Sequence, residues 1–240
     1  MINYQQQTEL LELAKKVHKE RSETITPNFP QDFIDYPHLF LLGCIMDRQI
    51  PYEKAWGIPI KVANELGSKS FDSFASKDKQ YYINLFEKKN YHRFNKIMGE
   101  CFYLAVQKIK LDYNGDARNI WNDEPTSTEL IKRLKEFKGV GDSIASMTVN
   151  ILDRRYKIKL KDRRGLNISS DRNVNRVFYR MGLTPKISQT ETIKAARLIS
   201  PDFPGQLDKL FWKVGREYCQ ENWMKCNICI VNGYCKKNNS

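Results

Sequence analysis

Four cysteines near the C-terminus set the strongest limit on how this chain folds. Their spacing is C-x6-C-x2-C-x5-C. Thiols this close in sequence can form disulfides, bind zinc or bind an iron–sulfur cluster. A reducing compartment disfavours disulfides, and four-cysteine zinc sites more usually have two C-x2-C pairs, whereas this stretch has one. A cubane cluster also needs four thiolates. The candidate ligands are Cys219, Cys226, Cys229 and Cys235.

Residues 127–152 contain a second informative pattern, in which two predicted helices flank a Gly-Val-Gly turn. Thr126 and Glu129 have capping-box spacing, and Asp142 or Ser143 is a natural N-cap for the second helix. Two glycines allow the backbone to turn tightly and to approach another molecule. The free N–H groups of such a turn suit an anion such as a DNA phosphate, although a purely structural turn is the alternative. The turn consists of Gly139, Val140 and Gly141.

The charge of the chain favours a polyanionic partner. With 40 Lys and Arg against 28 Asp and Glu, the net charge is +12. Nucleic acid is the first candidate partner and an anionic membrane surface the second. The alternative is a soluble basic protein whose charge serves no such partner. No apolar run reaches the roughly 18 residues of a membrane span, and the N-terminus does not resemble a signal peptide. We therefore expect a cytoplasmic protein, associated with the nucleoid if it is prokaryotic.

The periodicity of the chain predicts helices throughout. Residues 8–20 form an amphipathic pattern, residues 22–31 are typical of a linker, and residues 31–155 show helical spacing without sustained strand alternation. Helices are expected over Tyr52–Leu66, Phe71–Phe86 and Phe94–Leu111, with a turn at residues 114–116. Cys44 and Cys101 lie in apolar stretches and are expected in the core. These patterns predict an all-α fold.

Residues 153–167 differ from their surroundings because lysines alternate with Tyr156, Ile158 and Leu160. A short β-hairpin is one expectation for this stretch. It is either a solvated loop or a basic arm against DNA phosphates, in which each neutralised phosphate steepens the salt dependence of binding. The candidate contacts are Arg154, Arg155 and Lys157.

The sequences at residues 137–145 and 170–177, followed by the cysteine spacing, resemble the endonuclease III family of helix-hairpin-helix DNA glycosylases. The resemblance covers residues 31–235. It implies two helical domains with a DNA-binding cleft between them, a [4Fe-4S] cluster on the four cysteines, double-stranded DNA as partner and a monomeric state. The expected domains are a six-helix barrel-like domain over residues 31–155, a cluster domain of residues 1–30 and 165–240, and a basic insertion over residues 153–167.

The resemblance places the catalytic aspartate of the family at Asp171. A carboxylate there stabilises the positive charge that builds on the sugar as the N-glycosidic bond breaks, and it can orient or deprotonate the attacking water. Two neighbours depart from the family pattern, since Ser170 replaces a hydrophobic residue and Asn173 replaces a frequent histidine. The alternative is that Asp171 only caps the helix that follows. Asp153 and Asp162 compete with Asp171 only if the insertion shifts the alignment.

Ser143 stands where bifunctional members of the family carry a lysine that attacks the sugar through a Schiff base. A serine cannot form an imine, so the resemblance implies a monofunctional glycosylase that uses water. Lys138, before the turn, is a displaced candidate for the lysine role. Adenine-specific mismatch glycosylases share the serine, but they carry a glutamate where this chain has Cys44.

Gln49 matches the family glutamine that fills the gap left by a flipped base, and Arg48 is placed to contact the orphaned base or a phosphate. An exposed helix end is the alternative for both. The family's cluster loop also contacts DNA, and Lys225 is the one lysine available there. Four functions stay open: a monofunctional DNA glycosylase, a bifunctional glycosylase with AP lyase activity, a non-catalytic DNA-binding protein on the same fold, and a zinc-bound regulator.

Overall fold

The computed structural model describes residues 4–19 and 30–237 of the chain. Within these ranges the backbone is helical and has no strand, which confirms the predicted all-α class. The helices are α1 (Tyr4–Lys19), α2 (Gln31–Asp35), α3 (Pro37–Met46), α4 (Tyr52–Leu66), α5 (Phe71–Ala75), α6 (Lys79–Lys89), α7 (Asn95–Asp112), α8 (Ser127–Lys135), α9 (Asp142–Ile151), α10 (Arg172–Arg180), α11 (Gln189–Ile199) and α12 (Asp208–Glu217). No helix in the described ranges is both long enough and apolar enough to cross a membrane.

The chain divides into two compact units. Residues Asn28–Pro125 and Glu129–Thr148 form the unit called central below. The other, called terminal, combines Met1–Pro27, Thr126–Thr128 and Val149–Ser240. Each unit therefore draws on separate stretches of the sequence, and residues 126–152 contribute to both.

Aromatic side chains fill the core of the central unit. All ten residues of α3 are buried, so this helix is covered by packing around its whole circumference. Its neighbour α4 comes close at Gly43, where an added Cβ would lie 3.3 Å from the Cα of Trp56. Tyr82 is fully buried and donates its hydroxyl to the carbonyl of Phe74 at 2.7 Å, which satisfies the one polar atom of that side chain.

In the terminal unit, α1 packs against the C-terminal helices. Leu10 and Ala14 of α1 belong to one buried cluster with residues of α10, α11 and α12. Phe178 of α10 and Phe211 of α12 lie at its centre, with ring centroids 4.2 Å apart. The family resemblance implies this packing of the N-terminal helix. The predicted linker over residues 22–31 lies almost entirely outside the described residues.

Three predictions of local structure were wrong in part. The expected helix from Phe71 to Phe86 is broken in two, because Asp78 accepts the backbone N–H of Tyr81 at 2.8 Å and caps α6. Helix α9 begins at Asp142, so neither Asp142 nor Ser143 is the N-cap that the sequence predicted. Gly141 supplies the carbonyl that accepts the N–H of Ala145 at 3.0 Å. The third error concerns residues 153–167. A π-helical turn, Leu152–Tyr156, extends α9 there, and the described residues contain no β-hairpin.

Candidate functional site

Asp171 lies at the N-terminus of α10 in the terminal unit. Its backbone is extended and its side chain accepts the N–H of Val174 at 2.7 Å, so it caps the helix as one reading of the sequence proposed. Burial raises the pKa of this carboxyl above its ordinary value. Backbone N–H groups of Val174 and Asn173 and the charges of Arg176 and Arg216 oppose that rise. The cap and the raised pKa coexist, so capping does not exclude a chemical role.

The side chains of Ser170 and Asn173 both form hydrogen bonds with nearby residues of α10. Ser170 is buried, and its hydroxyl donates to the side-chain oxygen of Asn175 at 2.5 Å. Asn173 accepts from the guanidinium of Arg176 at 2.9 Å. Both side chains therefore help to build the first turns of α10 around Asp171.

Two buried arginines of α10 hold the start of the cysteine loop. Arg176 donates to the carbonyl of Cys219 from two nitrogens, at 2.8 and 3.2 Å. Arg180 donates to the carbonyls of Gln220 at 2.6 Å and Glu221 at 3.1 Å. One helix thus carries Asp171 at its N-terminus and, further along, fixes the backbone at the first cysteine. The sequence pattern did not reveal these contacts.

The four C-terminal cysteines line one pocket and are all free thiols, each partly buried. Other walls are apolar, with Val177 and Met181 among them. Arg180 donates to the sulfur of Cys219 at 3.5 Å, and the N–H of Lys237 donates to the sulfur of Cys235 at 3.4 Å. Among the described residues, no group of three or more His, Cys, Asp or Glu side chains is arranged to hold a metal ion.

Burial raises the pKa of the Cys229 and Cys235 thiols, and the neighbouring cysteines add to that effect. Tight turns bring the cysteines together, since the N–H of Cys229 donates to the carbonyl of Cys226 at 3.2 Å. Lys225, the predicted DNA contact of this loop, is exposed, with its ammonium 5.0 Å from the ring centroid of Trp223.

The Gly-Val-Gly turn belongs to the central unit. Gly139 has a φ of 93°, a conformation that side chains other than glycine rarely adopt, whereas Gly141 does not need it. The N–H of Val140 donates to the carbonyl of Phe137 at 3.1 Å. Ser143 is exposed in the first turn of α9. Lys138 is exposed too, and its ammonium lies 3.4 Å from a carboxylate oxygen of Glu100.

Arg48 and Gln49 form an exposed turn after α3, also in the central unit. Gln49 has a φ of 57°, a left-handed conformation that costs a non-glycine residue about 1–2 kcal/mol. Such strain persists only where surrounding structure holds it.

His92, which the sequence analysis missed, supports this turn from inside. It is fully buried, and its Nε2 lies 3.2 Å from the carbonyl of Met46, while Nδ1 accepts the N–H of Phe94 at 3.1 Å. Nε2 therefore carries the proton, and burial lowers the pKa of the ring. No sequence signal distinguishes this histidine from any other single histidine.

Cys44 and Cys101 are core residues, as predicted, with 0% and 1% exposure. Burial raises the pKa of the Cys44 thiol well above its ordinary range. The position that carries a glutamate in adenine-specific mismatch glycosylases is therefore a neutral, inaccessible thiol here.

The basic segment of residues 153–167 is tied into the terminal unit by its own acidic residues. Asp153 is buried and accepts from the guanidinium of Arg163 at 2.8 and 3.0 Å, with His18 at 3.8 Å on its other oxygen. Asp162 accepts the hydroxyl of Ser127 at 2.5 Å. These two aspartates, the rivals of Asp171, thus serve structural contacts.

Arg154 and Arg155 are partly buried, and Lys157 alone of the three candidates is exposed. Burial lowers the pKa of the Arg154 guanidinium, and the negative charge of Asp208 opposes that shift. The DNA contacts of all three residues stay predictions.

Solved structures of similar fold cover nearly the whole chain. A trapped endonuclease III–DNA covalent intermediate, in an estranged-adenine complex, shares 15% identity at a TM-score of 0.66, covering 99% of this chain and 97% of that one. A thermostable thymine-DNA glycosylase shares 14% at 0.65, covering 97% and 96%. A non-covalent endonuclease III–DNA complex shares 14% at 0.63, covering 99% and 97%.

The sequence itself matches no protein-family profile and no curated protein. Identities this low show the fold alone. The chain therefore has the endonuclease III-like, all-α fold that the sequence analysis predicted.

Proposed function

We propose that this chain is a DNA glycosylase that hydrolyses the N-glycosidic bond of a damaged or modified base flipped out of duplex DNA, acting as a cytoplasmic monomer. The observation that carries the proposal is Asp171, a partly buried carboxylate with a raised pKa at the start of α10, inside an endonuclease III-like fold. The net charge of +12 supports a nucleic-acid partner.

In this mechanism Asp171 acts on the sugar. Its carboxylate stabilises the positive charge that develops as the bond to the base breaks, and it orients the attacking water. Burial strengthens that stabilisation because little water screens the charge. The bonds from the backbone N–H groups of α10 fix the carboxylate in advance, so that no reorganisation is needed during the reaction.

Base flipping leaves a gap that costs a few kcal/mol in lost stacking and pairing. The strained, exposed turn at Gln49 presents that side chain as the wedge that fills the gap, and Arg48 beside it contacts the orphaned base or a phosphate. The backbone of Gly139, Val140 and Gly141 and the start of α9 bind a phosphate of the DNA backbone.

Water rather than an amine is the nucleophile in this proposal. Ser143 stands at the lysine position and has no amine, and the ammonium of Lys138 is already paired with Glu100. We expect wild-type protein to give no borohydride-trapped adduct on abasic DNA, and Ser143→Lys to give one. Trapping by the wild type, abolished in Lys138→Ala, would instead establish the bifunctional glycosylase with AP lyase activity.

The cysteine pocket suits a [4Fe-4S] cluster. Its four free thiols stand in largely apolar surroundings. Each cysteine of a cubane binds its own iron, so the four sulfurs need not converge on a single point as the ligands of one zinc ion do. Cys219, Cys226, Cys229 and Cys235 would hold the group, which ties the loop together and takes no part in cleaving the glycosidic bond.

Metal analysis tests the cluster directly. Anaerobically purified protein should be brown and contain iron and sulfide in equal amounts, and Cys226→Ser should lose both. Cys101→Ser, a core substitution of the same chemical type, should keep them. Zinc without sulfide in the wild-type protein would contradict the cluster.

The glycosylase itself is tested by incubating cluster-loaded protein with a panel of duplexes that carry damaged or modified bases. Released bases are identified by mass spectrometry. Release of one base class supports the proposal and names the substrate. Tight DNA binding without release from any duplex would favour a non-catalytic DNA-binding protein of this fold.

A further inference from the structure

Asp208, a residue that the mechanism above does not use, lies at the start of α12 in the terminal unit. It is buried, with 7% of its surface exposed. One carboxylate oxygen accepts the backbone N–H of Ser169 at 2.8 Å. A buried carboxylate is costly unless it is well bonded, so this acceptor has a structural or functional reason to be there.

The bond to Ser169 leads directly to Asp171. The carbonyl of Ser169 accepts the N–H of Asp171 at 2.9 Å, so Ser169 is fixed at its N–H by Asp208 and at its carbonyl by Asp171. On the other side, the Asp171 carboxylate is fixed by Val174. The segment from Ser169 to Asp171 is thus held at both ends, by α12 and by α10.

Arg154 supplies the charge that makes a buried carboxylate tolerable at this point. Burial raises the pKa of Asp208, and the positive charge of Arg154 and the N–H of Ser169 oppose that rise. Asp171 adds a further raising effect, which places the two carboxyls within electrostatic range of each other.

We infer that Asp208 is a positioning residue for Asp171: by holding the N–H of Ser169 it fixes the segment that carries the catalytic carboxylate, with Arg154 as its counter-charge. The inference rests on the proposed glycosylase function. It assigns Arg154 to the support of the active carboxylate, where the basic composition of residues 153–167 suggested a contact with DNA.

A series of variants at position 208 tests this role. Asp208→Asn keeps an oxygen that accepts from Ser169, whereas Asp208→Ala removes it. We expect Ala to slow single-turnover base release by about a hundredfold, the order of loss for a misplacement near 1 Å, with DNA affinity unchanged. Asn should restore most of the rate. Asp202→Asn changes an exposed carboxylate of the same unit and should leave the rate unchanged.

Equal losses in Ala and Asn, or no loss in Ala, would overturn the inference. If Ala fails to fold, Asp208→Glu replaces it, because Glu keeps the charge and displaces the acceptor by one methylene. Glu should then be slower than Asn, and the reverse order would contradict positioning through the bond to Ser169.

Amide hydrogen exchange separates this inference from the proposed function. Exchange of the Ser169 and Asp171 N–H groups, measured by NMR, should accelerate in Asp208→Ala and stay slow in Asp208→Asn. If the wild type releases no base, the glycosylase proposal fails, and exchange alone then decides whether Asp208 positions Asp171. Unchanged exchange in Ala would overturn the inference, whatever the activity.

Discussion

Two charged regions, the turn at residues 47–50 and the segment at residues 153–167, suggest DNA contacts in the sequence. In the structure they differ in how far their charged side chains are exposed. Arg48 and Gln49 are exposed in the turn, which is supported from inside by His92. In the segment, Asp153 pairs with Arg163, and Arg154 is partly buried. A density of basic residues therefore does not establish a DNA-binding arm, because acidic residues of the same segment pair with some of its cations.

The largest expected effect concerns the anchor of the segment. Asp153→Ala removes the two hydrogen bonds that this buried carboxylate accepts from Arg163 and should lower the free energy of unfolding by about 2 kcal/mol. Asp202→Ala removes the partner of Arg164 in an exposed pair and should cost about 0.5 kcal/mol or less. Urea denaturation measures both. Equal costs would mean that Asp153 anchors the segment no better than an exposed ion pair does.

The same pair gives the segment a pH dependence. Although burial opposes it, the bonds and charges of His18 and Arg163 hold the pKa of Asp153 below its ordinary value. A lowered carboxyl pKa contributes stability above the unfolded pKa of 3.8, and that stability is lost as pH falls through the folded pKa. Asp153→Asn should flatten the fall of the unfolding free energy in this acid range.

Gln49 lies in the turn, and two variants separate its backbone strain from its proposed function. Gln49→Gly relieves the left-handed backbone and should stabilise the protein by about 1 kcal/mol, whereas Gln49→Ala should not. Both should slow base release by about tenfold, since neither fills the gap of a flipped base. Urea denaturation and single-turnover kinetics measure the two effects. Full activity in either variant would remove Gln49 from the mechanism.

His92 should matter for the turn alone. His92→Phe keeps the ring and loses the bond to the carbonyl of Met46, at a cost of about 1 kcal/mol in the free energy of unfolding. Exchange of the Arg48 amide, which donates to that carbonyl at 2.8 Å, should accelerate. Protonated Nδ1 cannot accept the N–H of Phe94, and the lowered pKa of the ring predicts that the wild type loses stability as pH falls below 6.5 and through the folded pKa. An unchanged Arg48 exchange rate would show that the turn is stable without the bond from His92.

The smallest effects are those on the salt dependence of DNA binding. Lys157→Glu should reduce the slope of log affinity against log salt by about one, because the exposed ammonium neutralises one phosphate. Arg154→Met should leave the slope unchanged. A flatter slope in Arg154→Met would place that guanidinium on DNA and break the contrast drawn between the two regions.

The sequence was sufficient for the fold. Helical periodicity predicted the all-α class, and helix α4 runs from Tyr52 to Leu66 as expected. The endonuclease III-like architecture was implied by the resemblance of residues 137–145, residues 170–177 and the cysteine spacing to that family. Errors came where a single polar contact overrides periodicity. Asp78 interrupts an apolar pattern by capping α6, and no spacing rule reveals that choice.

The candidate site was less accessible to sequence reasoning. Asp171 could be proposed from its motif, but its supports come from distant positions, namely Asp208 in α12 and Arg154 after α9. Such contacts join residues far apart in the chain, and their side chains carry no local signature. The internal bond of His92 was missed for the same reason.

The central claim is tested most directly by Asp171→Asn on the duplex that the panel identifies. Asn still accepts from the backbone of α10, and it removes the negative charge that the mechanism requires. Single-turnover base release should fall by a hundredfold or more, roughly the loss on removing one electrostatic stabiliser, while Asp202→Asn stays at the wild-type rate. Base release that persists in Asp171→Asn at the rate of Asp202→Asn would contradict the assignment of Asp171 as the catalytic carboxylate.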